Sequence, residues 1–145
     1  MVSENLLGEM SATKRVMGSN KSEPSPVLIV DDDRTMIGFL DLALSLDGYK
    51  CVNACNGREA MKRVIEREPA IILLDLAMPV MDGEEFYRWL RGSGRTEVPV
   101  ILMTANQNGM KTCRDLGAQA FLTKPFDLTE LEAQVSRFIG GAGGV

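Results

Sequence analysis

The chain contains no histidine among its 145 residues. This absence removes the usual general base of enzymes and the commonest metal ligand of proteins. It also means that the chain cannot carry a phosphohistidine of its own. Histidine chemistry therefore has to come from a partner, if it takes part at all.

Cysteine is scarce, and the three cysteines include no C-x-x-C pair: Cys51, Cys55 and Cys113. Since no histidine is present to complete a zinc site, we interpret all three as reduced, small hydrophobic side chains.

The sequence also lacks long runs of like charge and long apolar runs. Sixteen Lys and Arg residues against twenty Asp and Glu residues give a net charge of −4, which argues against a surface that neutralises nucleic-acid phosphates. No stretch approaches the roughly 18 apolar residues of a membrane span, and the first ten residues hold no apolar run of signal-peptide length. We expect a cytoplasmic protein with no direct nucleic-acid binding and no membrane insertion.

The two ends differ in composition from the middle. Residues 1–26 are rich in serine and carry two prolines without sustained apolar periodicity, which favours a flexible N-terminal tail. Four apolar residues leave a short helix as the alternative: Leu6, Leu7, Met10 and Met17. Residues 140–145 are glycine-rich, as in a flexible C-terminal tail or the stub of a linker. The folded domain is therefore predicted to span residues 27–139.

Short apolar runs alternate with amphipathic stretches inside this domain. The runs predict five strands, at residues 27–30, 50–54, 71–74, 98–103 and 120–122. Helical stripes follow the first and last strands, Gly48 and Gly117 stand where helices end, and Asp33 and Asp127 stand where helices begin. A β-α unit repeated five times predicts an α/β protein with a parallel sheet and helices on both faces.

Four of the predicted strands end in a polar residue. The first leads into residues 31–33, which are all aspartate, the third into Asp75, the fourth into Thr104 and the fifth into Lys124. Ligands of open parallel sheets bind beyond the carboxyl ends of the strands, so these side chains should converge. Neighbouring carboxylates repel one another, and a hard divalent cation such as Mg²⁺ offsets the repulsion. A remaining carboxylate could then attack phosphorus, with Lys124 balancing the charge and Thr104 donating a hydrogen bond.

Four sequence blocks carry a resemblance to a known family: residues 27–32 (VLIVDD), 75–83 (DLAMPVMDG), 103–105 (MTA) and 124–126 (KPF). In this order and spacing they resemble the receiver domain of two-component response regulators, of the chemotaxis-regulator-like single-domain type. The resemblance implies a flavodoxin-like doubly wound (βα)5 fold with strand order 2-1-3-4-5. It also implies a cis Lys124–Pro125 bond.

The resemblance further implies a role for each residue of the site. Asp75 would be the phosphoacceptor, Thr104 the switch hydroxyl, Lys124 the phosphate partner and Phe121 the switch aromatic. The ion would be Mg²⁺, with Mn²⁺ as the alternative, and its ligands would be Asp31, Asp32, Asp75 and the backbone carbonyl of Ala77. Ala77 and Asn106 are less typical neighbours of the phosphate, so family membership does not set the lifetime of the phosphorylated state.

The implied function is a phosphorylation switch. A histidine kinase or a histidine phosphotransfer protein would donate its phosphoryl group to Asp75. The surface formed by the fourth helix, the fifth strand and the fifth helix would then change its affinity for a downstream target protein. Such a monomer or weak dimer is expected to be a signalling switch rather than an enzyme, since it assists only its own phosphorylation and dephosphorylation.

Several alternatives remain open at this stage. The chain could be the receiver fragment of a larger hybrid kinase or multidomain regulator, or a phosphorelay shuttle. A flavodoxin-like FMN carrier is disfavoured because no Ser/Thr/Gly-rich phosphate loop follows Val30. An aspartyl-phosphate hydrolase would use Asp31 as its nucleophile instead of Asp75.

Overall fold

The computed structural model describes residues 24–78, 80–105 and 108–139, in which five β-strands alternate with five α-helices. The strands are β1 (Val27–Val30), β2 (Cys51–Ala54), β3 (Ile71–Asp75), β4 (Val100–Thr104) and β5 (Ala120–Thr123). The helices are α1 (Arg34–Leu46), α2 (Gly57–Glu66), α3 (Gly83–Gly92), α4 (Asn108–Leu116) and α5 (Leu128–Ile139). Among these helices, none combines the length and the apolar character needed to cross a membrane.

The five strands form one parallel sheet in the order β2-β1-β3-β4-β5. β1 lies between β2 and β3, so Val30 is paired with Ala54 on one side and with Leu74 on the other. The predicted doubly wound α/β arrangement and its strand order are therefore confirmed.

Two apolar layers cover the sheet, one on each face. Leu28 and Val30 of β1 belong to the layer that also holds buried residues of α2, α3 and α4. Val27 and Ile29, which alternate with them, belong to the layer shared with α1 and α5. Because successive strand residues point to opposite faces and both faces are buried, the central strands are continuous apolar runs.

Polar caps and glycines delimit the helices where the sequence predicted. The Asp33 carboxylate accepts hydrogen bonds from two backbone N–H groups in the first turn of α1. At the start of α5, Glu130 N donates to Asp127 Oδ1 at 2.8 Å and Asp127 N donates to Glu130 Oε1 at 3.1 Å. Gly48 and Gly117, with φ of 94° and 74°, follow α1 and α4 in the left-handed region that glycine tolerates.

The predicted fourth strand starts two residues too early. Val98 is buried, as its apolar character suggested, but it lies in a loop, and β4 begins at Val100. The reason is Pro99, which has no N–H to donate to the sheet. Its carbonyl still accepts a hydrogen bond from Ile72 N at 3.0 Å.

Hydrogen bonds to the domain extend to residues before the predicted boundary at residue 27. Pro26 is buried and its carbonyl accepts from Ala70 N at 2.8 Å. The carbonyl of Pro24 accepts from Arg67 Nη2 at 3.0 Å. Pro24 and Pro26 of the predicted tail are therefore hydrogen-bonded to the domain. Residues 1–23 and 140–145 lie outside the described part of the chain.

Candidate functional site

The structure brings four polar side chains to one edge of the sheet. Asp31 follows β1, Asp75 ends β3, Thr104 ends β4 and Lys124 follows β5. These four strands are consecutive in the sheet. Two backbone hydrogen bonds hold the strand ends level, from Leu76 N to the Met103 carbonyl at 3.2 Å and from Lys124 N to the Thr104 carbonyl at 2.6 Å.

Three carboxylates form a cluster at this edge. Oxygen atoms of Asp31, Asp32 and Asp75 lie within 4.8 Å of one another. Asp31 is fully buried and Asp75 is 6% exposed, whereas Asp32 is exposed. Backbone N–H groups stabilise the two buried carboxylates, since Asp33 N donates to Asp31 Oδ1 at 2.9 Å and Ala77 N donates to Asp75 Oδ1 at 3.3 Å.

Lys124 supplies a positive charge to the two buried carboxylates. Its Nζ lies 2.8 Å from Asp31 Oδ2 and 3.7 Å from Asp75 Oδ1. The ammonium group is thus hydrogen-bonded to Asp31 and close to Asp75 without being bound tightly to it. Among the described residues, Lys124 is the cation that contacts this cluster of three carboxylates, so the cluster retains an excess of negative charge.

Burial and the neighbouring charges both shift the pKa values of the site. Burial, followed by the charge of Asp31, raises the pKa of Asp75 to about 6, although Lys124 opposes the shift. Burial alone would lower the pKa of Lys124, but the hydrogen bond to Asp31 and the charges of Asp75 and Asp31 outweigh it and raise that pKa. Lys124 therefore stays protonated, while Asp75 gives up its proton at a cost.

An open cavity of about 360 Å³ adjoins the cluster. Of the three clustered aspartates, only Asp75 lines it. Its wall also includes Gly109 and the polar residues Asp82, Glu84, Thr104, Thr112 and Lys124. A ligand in this cavity would meet one carboxylate oxygen, one ammonium group and hydroxyl groups together.

The loop after β3 is held close to the site by Gly83. A methyl group at the Cβ position of Gly83 would lie 2.2 Å from the Asp75 carbonyl oxygen and 2.7 Å from the Leu76 Cα. Gly83 N also donates to the Leu76 carbonyl at 3.1 Å. Only glycine allows the first turn of α3 to approach Asp75 so closely, and Asp82 caps that helix through a capping box.

The donor set fits a hard divalent cation. Oxygen atoms of three carboxylates lie within 4.8 Å of one another, and carboxylate oxygens are ligands that Mg²⁺ prefers. With one lysine beside them, the three carboxylates also keep a net negative charge that a divalent cation would offset. Burial, followed by the charge of Asp31, raises the pKa of Asp75, and a cation bound beside Asp75 would favour its ionised form. The backbone N–H of Ala77 bonds to Asp75, and the metal-binding role of its carbonyl stays a prediction.

Phe121 lies apart from the cavity. It is half-buried on β5, where it packs against the apolar layer shared with α2, α3 and α4. The structure thus separates the predicted switch aromatic from the residues that line the cavity beside Asp75. Asn106 lies outside the described residues.

Sequence reasoning missed three residues of the cavity wall: Glu84, Gly109 and Thr112. Glu84 directly follows the Asp82-Gly83 pair of the second sequence block, which was a usable signal. Gly109 and Thr112 are three residues apart and so share one face of α4, but nothing in their spacing connects that face to β3 or β5.

A family model described as the response regulator receiver domain matches residues 27–136. The chain belongs to the receiver family. The membership predicted from the four sequence blocks is therefore confirmed.

Receiver domains of known structure and curated regulators are similar to this chain. Response regulator MprA of Mycolicibacterium vanbaalenii is 38% identical over 114 residues, which are 77% of this chain and 49% of that protein. The chain thus spans about half the length of the curated relatives it matches. Chemotaxis protein CheY4 of Vibrio cholerae has a TM-score of 0.73 at 28% identity, covering 80% of this chain and 99% of that one.

A receiver from a kinase is equally similar in structure. The signal receiver domain of a signal transduction histidine kinase from Syntrophus aciditrophicus has a TM-score of 0.73 at 33% identity, covering 83% of this chain and 94% of that chain. This fold is therefore shared by a chemotaxis protein and by the receiver domain of a histidine kinase.

Proposed function

We propose that this receiver domain accepts a phosphoryl group on Asp75 from the phosphohistidine of a partner protein. The observation that carries the proposal is the position of Asp75, because it alone among the three clustered aspartates lines the cavity. Asp31 is fully buried and hydrogen-bonded to Lys124 at 2.8 Å. A hydrolase that used Asp31 as its nucleophile is accordingly disfavoured.

The transfer itself is a displacement at phosphorus. A carboxylate oxygen of Asp75 forms the new P–O bond, the P–N bond to the donor imidazole breaks, and its electron pair stays on the imidazole nitrogen. Lys124, with its Nζ 3.7 Å from Asp75 Oδ1, is placed to offset the charge of the phosphoryl oxygens. The proposed protein donor is a histidine kinase or a histidine phosphotransfer protein, since the sequence has no histidine to carry the phosphoryl group.

A divalent cation completes the proposed site. Asp31, Asp32, Asp75 and the carbonyl of Ala77 would hold Mg²⁺, or Mn²⁺ in its place, and the ion would supply positive charge to the phosphoryl oxygens. The protein contributes the ligands and keeps two of the carboxylates buried. Asp32, which is exposed, would reach the ion from the solvent side.

Thr104 and Phe121 are proposed to transmit the phosphorylated state. Thr104 is 5% exposed and lines the cavity, so its hydroxyl could donate to a phosphoryl oxygen. Its movement would leave space that the half-buried Phe121 ring turns to fill. The surface of α4, β5 and α5 would then favour a downstream target protein through a shift between two populations.

The proposed role is a switch in the cytoplasm that catalyses nothing beyond its own phosphorylation and dephosphorylation. The chain spans only about half of its curated relatives, and it is similar to the receiver of a histidine kinase. A receiver that belongs to a larger regulator or hybrid kinase is therefore the second candidate, and a phosphorelay shuttle is the third.

Incubation with phosphoramidate or acetyl phosphate and Mg²⁺, followed by intact-mass analysis and site mapping, tests the proposal. We expect one added phosphoryl group on Asp75 and none in Asp75→Asn. Asp82→Asn is the matched control, because Asp82 lines the same cavity outside the cluster and asparagine also caps helices. Phosphorylation mapped to Asp31 or Asp32 would show that the acceptor is wrongly assigned.

A further inference from the structure

Gly109, in the first turn of α4, lies directly against the side chain of Thr104. A methyl group at the Cβ position of Gly109 would lie 2.0 Å from Thr104 Cγ2 and 2.6 Å from both Cβ and Oγ1 of Thr104. Ordinary contacts of a Cβ atom begin at about 3.4 Å. No side chain can therefore stand at position 109 while Thr104 and α4 keep their places.

The backbone conformation of Gly109 does not require glycine. Gly109 is helical and has no positive φ, unlike Gly94 and Gly117. A glycine inside a helix is less favourable than alanine, because it loses more conformational freedom on folding. The helical glycines Gly38 and Gly92 have no heavy atom near their Cβ positions, whereas Gly57 and Gly83 approach Met81 and the Asp75 backbone closely. Gly109 is the described helical glycine whose close neighbour is the Thr104 side chain.

The contact joins the site to the helix next to it. Thr104 and Gly109 both line the cavity with Asp75. At its other end, α4 is capped by Ala118 N, in the short loop before β5, which donates to the Cys113 carbonyl at 3.1 Å. A displacement of the Thr104 side chain therefore acts first on the backbone of α4.

We propose that Gly109 is a positioning residue, whose missing side chain lets the first turn of α4 follow the Thr104 side chain when Asp75 is phosphorylated. This inference rests on the proposed function and names the contact through which the phosphorylated state reaches α4. Movement of Thr104 toward the phosphate removes the surface on which Gly109 packs, and the first turn of α4 moves in to keep the contact. A methyl group at position 109 holds the helix away from Thr104 in both states.

The test compares amide NMR spectra with and without beryllofluoride, which stands in for the phosphoryl group. In the wild type, perturbations should extend from Asp75 through Thr104 into α4. In Gly109→Ala, those near Asp75 should remain, while those in α4 fall by roughly threefold or more. Gly38→Ala and Gly92→Ala are matched controls, since each adds the same methyl group to a helix without a contact.

Rescue separates positioning from general damage to the fold. Thr104→Ser keeps the hydroxyl and removes Cγ2, the atom nearest to the added methyl group, so Thr104→Ser combined with Gly109→Ala should regain part of the α4 response. Full wild-type response in Gly109→Ala, or equal loss in the two control variants, would overturn the inference. If the wild type itself does not respond, the proposed function fails instead.

If Gly109→Ala folds poorly, a double-mutant cycle measured by urea unfolding tests the same contact. The destabilisation caused by Gly109→Ala should be clearly smaller in a Thr104→Ser background than in the wild-type background, because the closest contact is then absent. Gly38→Ala should show no such dependence on residue 104. Equal destabilisation in both backgrounds would mean that Gly109 and Thr104 do not act through this contact.

Discussion

Replacing Asp75 with asparagine should stabilise the metal-free protein, although it removes the proposed acceptor. The pKa of Asp75 is about 6 in the folded protein and 3.8 for an isolated aspartate, and each pKa unit corresponds to about 1.36 kcal/mol. The difference of about two units sets an upper bound of roughly 3 kcal/mol on the destabilisation by the ionised carboxylate. Asparagine keeps an oxygen that can accept from Ala77 N, so we expect a gain of about 1–3 kcal/mol in the free energy of unfolding.

The gain should depend on pH with a definite sign. An acid whose pKa is raised by folding destabilises the folded state in full above its folded pKa, which is about 6 for Asp75. Protonation removes that penalty as the pH falls from about 6 toward 3.8. The advantage of Asp75→Asn over the wild type should therefore be largest at neutral pH and should shrink as the solution is acidified through this range.

Urea unfolding in the presence of a chelator measures the effect. With a urea m-value of about 2 kcal/mol per molar, the midpoint of Asp75→Asn should lie roughly 0.5–1.5 M above that of the wild type at neutral pH. Asp115→Asn is a control for loss of a surface carboxylate, since Asp115 is paired only with Lys111 among the described residues and is 59% exposed; its midpoint should hardly move. A metal-free Asp75→Asn protein that is less stable than the wild type at neutral pH would refute the reasoning.

Three further predictions follow from the same geometry. Asp32→Ala should lose Mg²⁺ affinity and phosphorylation while remaining folded, because it removes an exposed ligand and relieves repulsion within the cluster. Calorimetric titration with Mg²⁺ and phosphorylation assays with and without Mg²⁺ measure both losses. An Asp32→Ala protein that is phosphorylated normally without added Mg²⁺ would contradict the prediction. Thr104→Ala should still accept phosphate from a small donor but should lose the beryllofluoride-induced changes around Phe121, and an unchanged NMR pattern there would mean that another path carries the signal. Deletion of residues 1–23, which spares the hydrogen-bonded residues Pro24 and Pro26, should leave phosphorylation of Asp75 unchanged, whereas a large loss of rate would mean that the deleted segment acts at the site or recruits the donor.

The amino-acid sequence by itself determined the features that depend on near neighbours. The apolar run of β1, the Asp33 cap and the glycines after α1 and α4 can be read locally, because a strand, a cap or a helix end involves residues only a few positions apart. The order of the strands followed once the sequence blocks were compared with a family. Asp75 and Lys124 were singled out because each follows a predicted strand, and the comparison with the family supplied their roles.

Only the tertiary structure decided which of these residues touch, and how deeply each is buried. Asp31 and Asp32 are adjacent and chemically identical, yet Asp31 N continues the ladder of β1 by bonding to the Ala54 carbonyl. Its side chain is therefore buried, while that of Asp32 is exposed.

The residues that contact Asp31 and Thr104 also cannot be predicted from local sequence patterns. Lys124 reaches Asp31 from 93 positions away, because both follow parallel strands whose carboxyl ends lie at the same edge of the sheet. The contact between Gly109 and Thr104 depends on where α4 packs after the β4–α4 loop. Such contacts are set by the packing of whole elements against one another, and no periodicity along the chain encodes them.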